Sequence, residues 1–216
     1  MFVGIDPRKK TVIRWATPAL FAALWLVYVL GAMRAPALRH GAELNWGVLS
    51  GGLDSLQAWR LAVADGSVLR LFSALFLHAD WIHLLGNLVF LLIFGLPAER
   101  VMGGGRFSSL FLVGGAVANL AAVLAIGAPD RVIIGASGAV SSVIGAYLAL
   151  FPGARLGVVL PLGMFLEFVR VPASLLIGLW VLLQVVFAYS GPAFGAVAWP
   201  AQSATLVSMP RTCSRR

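Results

Sequence analysis

Long apolar runs separated by short polar breaks dominate the chain. Five of them, at about 17–33, 82–98, 107–128, 132–151 and 171–189, approach the roughly 20 apolar residues a helix needs to cross hydrocarbon. A sixth run, 193–209, is uncharged but weaker, because it holds Pro200, Gln202, Ser203, Thr205 and Ser208. The stretch Leu156–Leu166 is too short to span and predicts a re-entrant or interfacial loop. Between the first two runs, residues 34–81 mix apolar pieces (Leu44–Leu49, Leu53–Val63, Leu69–Leu77) with Gly and Asp breaks. That pattern predicts short amphipathic helices lying in the interface. Trp46, Trp59 and Trp81 fit the headgroup level there. The pattern therefore predicts an all-α fold: a polytopic membrane helix bundle with five clear spans and a weak or truncated sixth. No internal repeat or linker divides residues 1–216, so one domain is expected.

Composition sharpens this reading. Hydrophobic residues make up 60% of the chain and charged residues only 11%, against about 25% charged in a soluble domain. Lipid must cover much of the surface. Lysine and arginine outnumber acids 16 to 8, and in a membrane chain such an excess sets loop orientation. With the N-terminus in the cytoplasm, eleven basic residues fall inside and five (Arg34, Arg39, Arg60, Arg70, Arg131) outside. The expectation is a multi-pass protein of a bacterial plasma membrane, with residues 1–16 a basic cytoplasmic start and 34–81 a long external loop. The lipid bilayer is then a partner. Nucleic acid is not, since no basic stripe with interleaved aromatics lies on a polar face. No small-x-small cleavage site closes the first run, so it reads as an uncleaved span. Cys213 stands alone and excludes an intramolecular disulfide. No Cys/His spacing suits a metal, and Gly103–Gly105 lacks a phosphate-loop spacing and reads as a turn. No cofactor is expected.

Polar side chains inside spans carry the most information, because placing them in lipid is costly. His83 and Asn87 lie four apart near the start of the second span and share one helix face. Ser137, within Gly135-Ala136-Ser137-Gly138, opens the fourth. Both spans run from outside to inside, so both clusters are expected at the same outer depth. A helix N-terminus leaves N–H groups unpaired and favours negative charge, which suits an oxyanion formed at Ser137. His83 and Asn87 can supply side-chain donors to it, and the flanking glycines allow a backbone such as a substrate strand to approach. Plainer readings stand beside these: Ser137 as helix-packing glue, as for Ser141 and Ser142, and His83 with Asn87 as an interhelical hydrogen bond. His78 is expected to stabilise the loop or lie near the site, and His40 to be solvated. Glu99 and Arg100 are expected to form a network at the cytoplasmic face, and Glu167 to pair with Arg170.

HADWIHLLGN and GASGAVSSVIGAYLALFP together resemble the rhomboid intramembrane serine proteases. The resemblance runs from about Leu69 to Gln202. Ala98-Glu99-Arg100 with the following glycines is similar to the family's segment after span two, and Arg70 to the arginine of its Trp-Arg pair, with Leu69 replacing the tryptophan. It implies a six-helix bundle that hydrolyses transmembrane protein substrates. Ser137 would be the nucleophile, with His83, Asn87 and the Ser137 N–H as oxyanion donors. The general base would be a histidine in span six. Here the sequence departs from the pattern: it reads Ala198-Trp199-Pro200-Ala201-Gln202, so Gln202 stands at the base position. Glutamine has no useful basicity, and 203–216 is an atypical tail. Catalysis is therefore expected to be impaired, through a frameshifted or truncated C-terminus or because the chain is a pseudoprotease that binds membrane segments. A small transporter is the remaining reading. It wants ionisable groups at the midplane, whereas here they gather at one end.

Overall fold

A computed structural model describes residues 14–50, 53, 55–125, 131–162, 165–189 and 197–200. Asp80 starts the central helix α5 (Trp81–Met102): its carboxylate accepts the His83 N–H at 2.8 Å, as an N-cap should. Gly103, with φ +81°, ends α5, and α6 (Gly104–Ala125) follows at once, so the expected glycine turn narrows to one residue. The other long helices are α1 (Ala16–Ala32), α7 (Ser137–Leu150) and α8 (Ala173–Tyr189). Segment 34–81 folds into short pieces, as its broken pattern predicts: α2 (Pro36–Trp46), β1 (Val48–Leu49), α3 (Leu56–Ala64), α4 (Arg70–Ser73) and two 3-10 turns.

The fold is mostly helical, but two small sheets depart from the all-α expectation. β2 (Arg131–Ile133) pairs antiparallel with β1 on one side and with β5 (Val197–Pro200) on the other. Its β-branched Val132 and Ile133 suit that pairing better than the first turn of a span, so α7 begins at Ser137 and not at 132. β3 (Arg155–Leu162) and β4 (Phe165–Pro172) form a hairpin where a re-entrant loop was expected. Val197–Pro200 is a strand and not part of a sixth helical span; the rest of that run, with Gln202 and the 203–216 tail, lies outside the described residues.

Among the described residues, only α5 and α6, at 22 residues each, are long and apolar enough to cross a membrane; α1, α7 and α8 are shorter apolar helices. Phe94, Phe107, Phe111, Leu84, Leu88 and Leu91 fill the core around α5. Large apolar side chains such as Leu26, Val117 and Leu182 stay exposed on the outer faces of α1, α6 and α8. Helices α6 and α7 meet through small residues, the usual way for membrane helices to approach. A Cβ on Gly138 would lie 2.4 Å from the Ala118 Cβ, and one on Gly114 would lie 2.4 Å from the Ser142 Oγ. Ser142 donates to the Gly138 carbonyl at 3.1 Å, and Ser141 accepts from the Trp180 indole of α8 at 3.2 Å. Both serines therefore serve packing.

Glu99 is fully buried, and both of its carboxylate oxygens accept backbone N–H groups of α1: Ala16 at 2.7 Å and Thr17 at 2.8 Å. It caps the start of the first helix and does not pair with Arg100, which is exposed. Across α6, Asn119 donates to the Leu71 carbonyl at 2.9 Å and holds the α4 segment down. Arg70 reaches the Leu44 carbonyl at 3.5 Å. His40 is half exposed beside Glu43. The Glu167 side chain lies outside the described residues.

Candidate active site

Helices α5 and α7 start at the same end of the bundle, and the turn before α7 brings their first residues together. Gly135 has φ +123°, and its N–H donates to the Ala74 carbonyl at 2.9 Å. A Cβ there would lie 2.7 Å from Cε1 and 3.2 Å from Nε2 of His83. The glycine is thus needed twice: for its backbone conformation and to let the His83 ring lie against the turn. Gly138, by contrast, makes room for Ala118 of α6. Both flanking glycines make room for the protein's own side chains.

His78, from the loop before α5, is the hub. Its Nε2 lies 3.1 Å from the Asn87 side-chain amide and 3.4 Å from the Ala136 backbone N–H. A backbone N–H can only donate, so Nε2 accepts and the ring proton sits on Nδ1. The His78 and His83 rings meet edge to face with centroids 5.3 Å apart. One imidazole therefore ties the α5 amide to the residue preceding Ser137. The sequence places His78 only near the site; that one nitrogen faces both halves is legible only in three dimensions.

Ser137 begins α7. The first bond within that helix runs from the Val140 N–H to the Ala136 carbonyl at 2.9 Å, so the N–H groups of Ser137, Gly138 and Ala139 have no acceptor in the helix. His78, His83, Asn87 and Ser137 are 5%, 7%, 0% and 8% exposed. The cluster is nearly closed to bulk water, where hydrogen bonds to a developing charge are strongest. Among the described residues no hydrogen bond joins the Ser137 hydroxyl to an imidazole, and no group of side chains suits a metal ion. Gln202, the remaining site residue expected from the sequence, lies outside the described residues.

The Rhomboid domain family matches residues 65–207. The chain belongs to the rhomboid family. It is 34% identical over 131 residues to YdcA of Bacillus subtilis (strain 168), a candidate rhomboid protease, covering 60% of this chain and 58% of that one. It is 33% identical over 90 residues to RHOMBOID-like protein 5 of Arabidopsis thaliana, covering 42% and 29%. With Rhomboid-related protein 2 of Mus musculus the identity is 35% over 155 residues, covering 66% and 47%. The chain thus spans less than two thirds of the length of these relatives. No solved structure matches it. Rhomboid-family proteins are integral membrane proteins, which accounts for the apolar outer faces of α1, α6 and α8.

Two expected results follow from this geometry. Gly135→Ala places a methyl group into the His83 ring on a backbone that L side chains avoid, and should cost about 1–3 kcal/mol. Thermal unfolding in detergent would read the loss, and an unchanged midpoint would contradict the packing described. The second concerns pH. Burial, and then the neighbouring His83, push the His78 pKa down to about 3, with the Phe76 carbonyl acting in the opposite direction. The unfolded chain's His78 binds its proton near the ordinary value of about 6.5. Between those values the unfolded state holds more protons, so stability falls as pH drops from about 6.5 toward 3. Denaturant midpoints measured across that window should show the slope, and His78→Gln should flatten it.

Proposed function

We propose that this rhomboid-family chain carries the scaffold of an intramembrane serine endopeptidase for membrane-anchored protein substrates, impaired in its own catalysis. The observation that supports this most is the junction of His78, His83 and Asn87 with the turn Gly135-Ala136-Ser137. In this reading Ser137 Oγ attacks the scissile carbonyl. The negative charge that forms on the carbonyl oxygen is held by His83, by the Asn87 amide and by the free N–H groups opening α7. Collapse of this intermediate breaks the scissile C–N bond and releases the amine, which takes up the proton given by Ser137; water then hydrolyses the acyl-enzyme and returns a proton to Ser137. Each transfer needs a group to take and return the Ser137 proton, and Gln202 does not provide one.

Five spans, α1, α5, α6, α7 and α8, would cross the bilayer, with the N-terminus in the cytoplasm of a bacterial cell and the Ser137 cluster near the outer surface. Up to α8, eight basic residues (Arg8, Lys9, Lys10, Arg14, Arg100, Arg106, Arg155 and Arg170) then fall on the cytoplasmic side and five (Arg34, Arg39, Arg60, Arg70 and Arg131) on the other, which supports that orientation. The transporter reading loses ground because the buried polar side chains among the described residues lie toward the two ends of the bundle, with His78, His83, Asn87 and Ser137 at one and Thr17 and Glu99 at the other, and not at the midplane.

A second reading has a specific observation behind it: a non-cleaving family member that binds membrane segments. Besides Gln202, it rests on the strand register. Val197 pairs with Ile133 and Pro200 with Arg131, so between 197 and 200 the backbone runs away from the Gly135 turn. Reconstitution in liposomes with a fluorogenic transmembrane substrate separates the two readings. The protease reading expects little cleavage by the native chain, cleavage by Gln202→His, and none by the Gln202→His, Ser137→Ala double variant. Substrate binding with no cleavage by Gln202→His favours the non-cleaving reading.

A further inference from the structure

A groove lies apart from the Ser137 cluster, between the outer end of α1, helix α2 and the turn at 73–77. Its volume is about 410 Å³, within the usual range of ligand sites, about 300–1,000 Å³. Val27, Leu30, Trp46, Phe76 and Leu77 give it apolar walls. One cationic side chain, Arg34, lines both this groove and a smaller adjoining recess of about 40 Å³.

The charges around the recess are not equivalent. Arg39 is committed: it lies 3.5 Å from Glu43, sits over the Tyr28 ring, and donates to the His78 and Ala79 carbonyls. Glu43 in turn is neutralised by Arg39, with His40 on its other side. Arg34 is exposed, and among the described residues no carboxylate pairs with it. Unpaired among the described residues, the Arg34 guanidinium thus stands beside an apolar slot. The end of α1 offers it no anionic partner beyond the weak negative pole of the helix.

We infer that this groove is a binding site for an anionic phospholipid, with an acyl chain along Leu30, Phe76 and Leu77 and the headgroup phosphate on Arg34. Three features select that occupant. The walls are apolar, the cation is bidentate and suited to phosphate, and the slot opens at a helix end, where headgroups lie if α1 spans the bilayer. The inference rests on the membrane reading and is independent of catalysis at Ser137. Leu77 lines both the groove and the recess, and His78 lines the recess beside it, so the bound lipid would lie against the loop that carries the hub of the candidate active site.

Carbonate extraction first tests the membrane reading by itself: release of the chain into the soluble fraction would remove that premise. Native mass spectrometry of the full chain, extracted from vesicles of equal phosphatidylglycerol and phosphatidylcholine, then tests the site. One phosphatidylglycerol should be retained in preference to phosphatidylcholine. Arg34→Gln should weaken that retention about tenfold, the worth of one charge-assisted contact, and Arg100→Gln should leave it unchanged. A Cβ on Gly31 meets nothing within 4 Å, so Gly31→Phe should fill the slot and expel the lipid without a change in melting temperature. Equal retention of the two lipids, or undiminished preference in Arg34→Gln, would overturn the inference. So would displacement of the lipid by millimolar inorganic phosphate, which would mark a site for a free anion. If Gly31→Phe does not fold, Arg34→Gln decides.

Discussion

Glu99→Ala should unfold at a much lower temperature than the native chain, with a loss of about 3–5 kcal/mol. The side chain is fully buried and takes two backbone N–H groups of α1, from Ala16 and Thr17. Hydrogen bonds to an ionised group are each worth about 1.5–3 kcal/mol, and truncation leaves both donors buried without an acceptor. The surroundings are tight: the Trp15 indole lies so close over Gly104 that a Cβ there would come within 2.5 Å of its Nε1. Glu99→Gln keeps one acceptor oxygen and should lose about half as much. Thermal denaturation of both variants in the same detergent reads the difference. A Glu99→Ala chain with a native midpoint would contradict the capping role.

The second large effect belongs to Asn87. In a Gln202→His background, Asn87→Ala should lower kcat/KM on a transmembrane substrate by about 10²–10³-fold, the usual cost of removing one oxyanion donor. The amide also meets His78 Nε2 at 3.1 Å, so its loss frees the imidazole that orders the Ala136 N–H. A helix-packing role for Asn87 would give a different outcome: lowered stability with the catalytic rate of the folded fraction unchanged. Measuring the melting temperature beside kcat/KM separates the two.

Some of this was legible in the sequence and some was not, for physical reasons. His83 and Asn87 were legible because two polar side chains four apart in an apolar helix share a face. Ser137 was legible because small residues after a polar break mark a helix start. The central role of His78 was not, since it depends on a loop bringing one nitrogen to two elements 9 and 58 residues away. Nor was the capping by Glu99, whose acceptors serve backbone donors 82 and 83 residues distant and so leave no side-chain signature. The hairpin at 155–172 was missed because a short apolar run has the same composition whether it is strand or interfacial helix. At 131–133 and 197–200, strand pairing between distant segments prevailed over what reads locally as the start of a span. Asn119 carried a usable signal, a lone amide in an apolar run, and its bond to Leu71 explains it.

In the proposed mechanism Ser137 is the reactive hydroxyl of the cluster formed by the starts of α5 and α7. The most direct measurement is to treat Gln202→His with a fluorophosphonate and locate the adduct by peptide mass spectrometry. A single adduct on Ser137, lost in the Ser137→Ala partner and slowed by Asn87→Ala, is the predicted result. An adduct on Ser141 or Ser142, or labelling indifferent to Asn87, would contradict it.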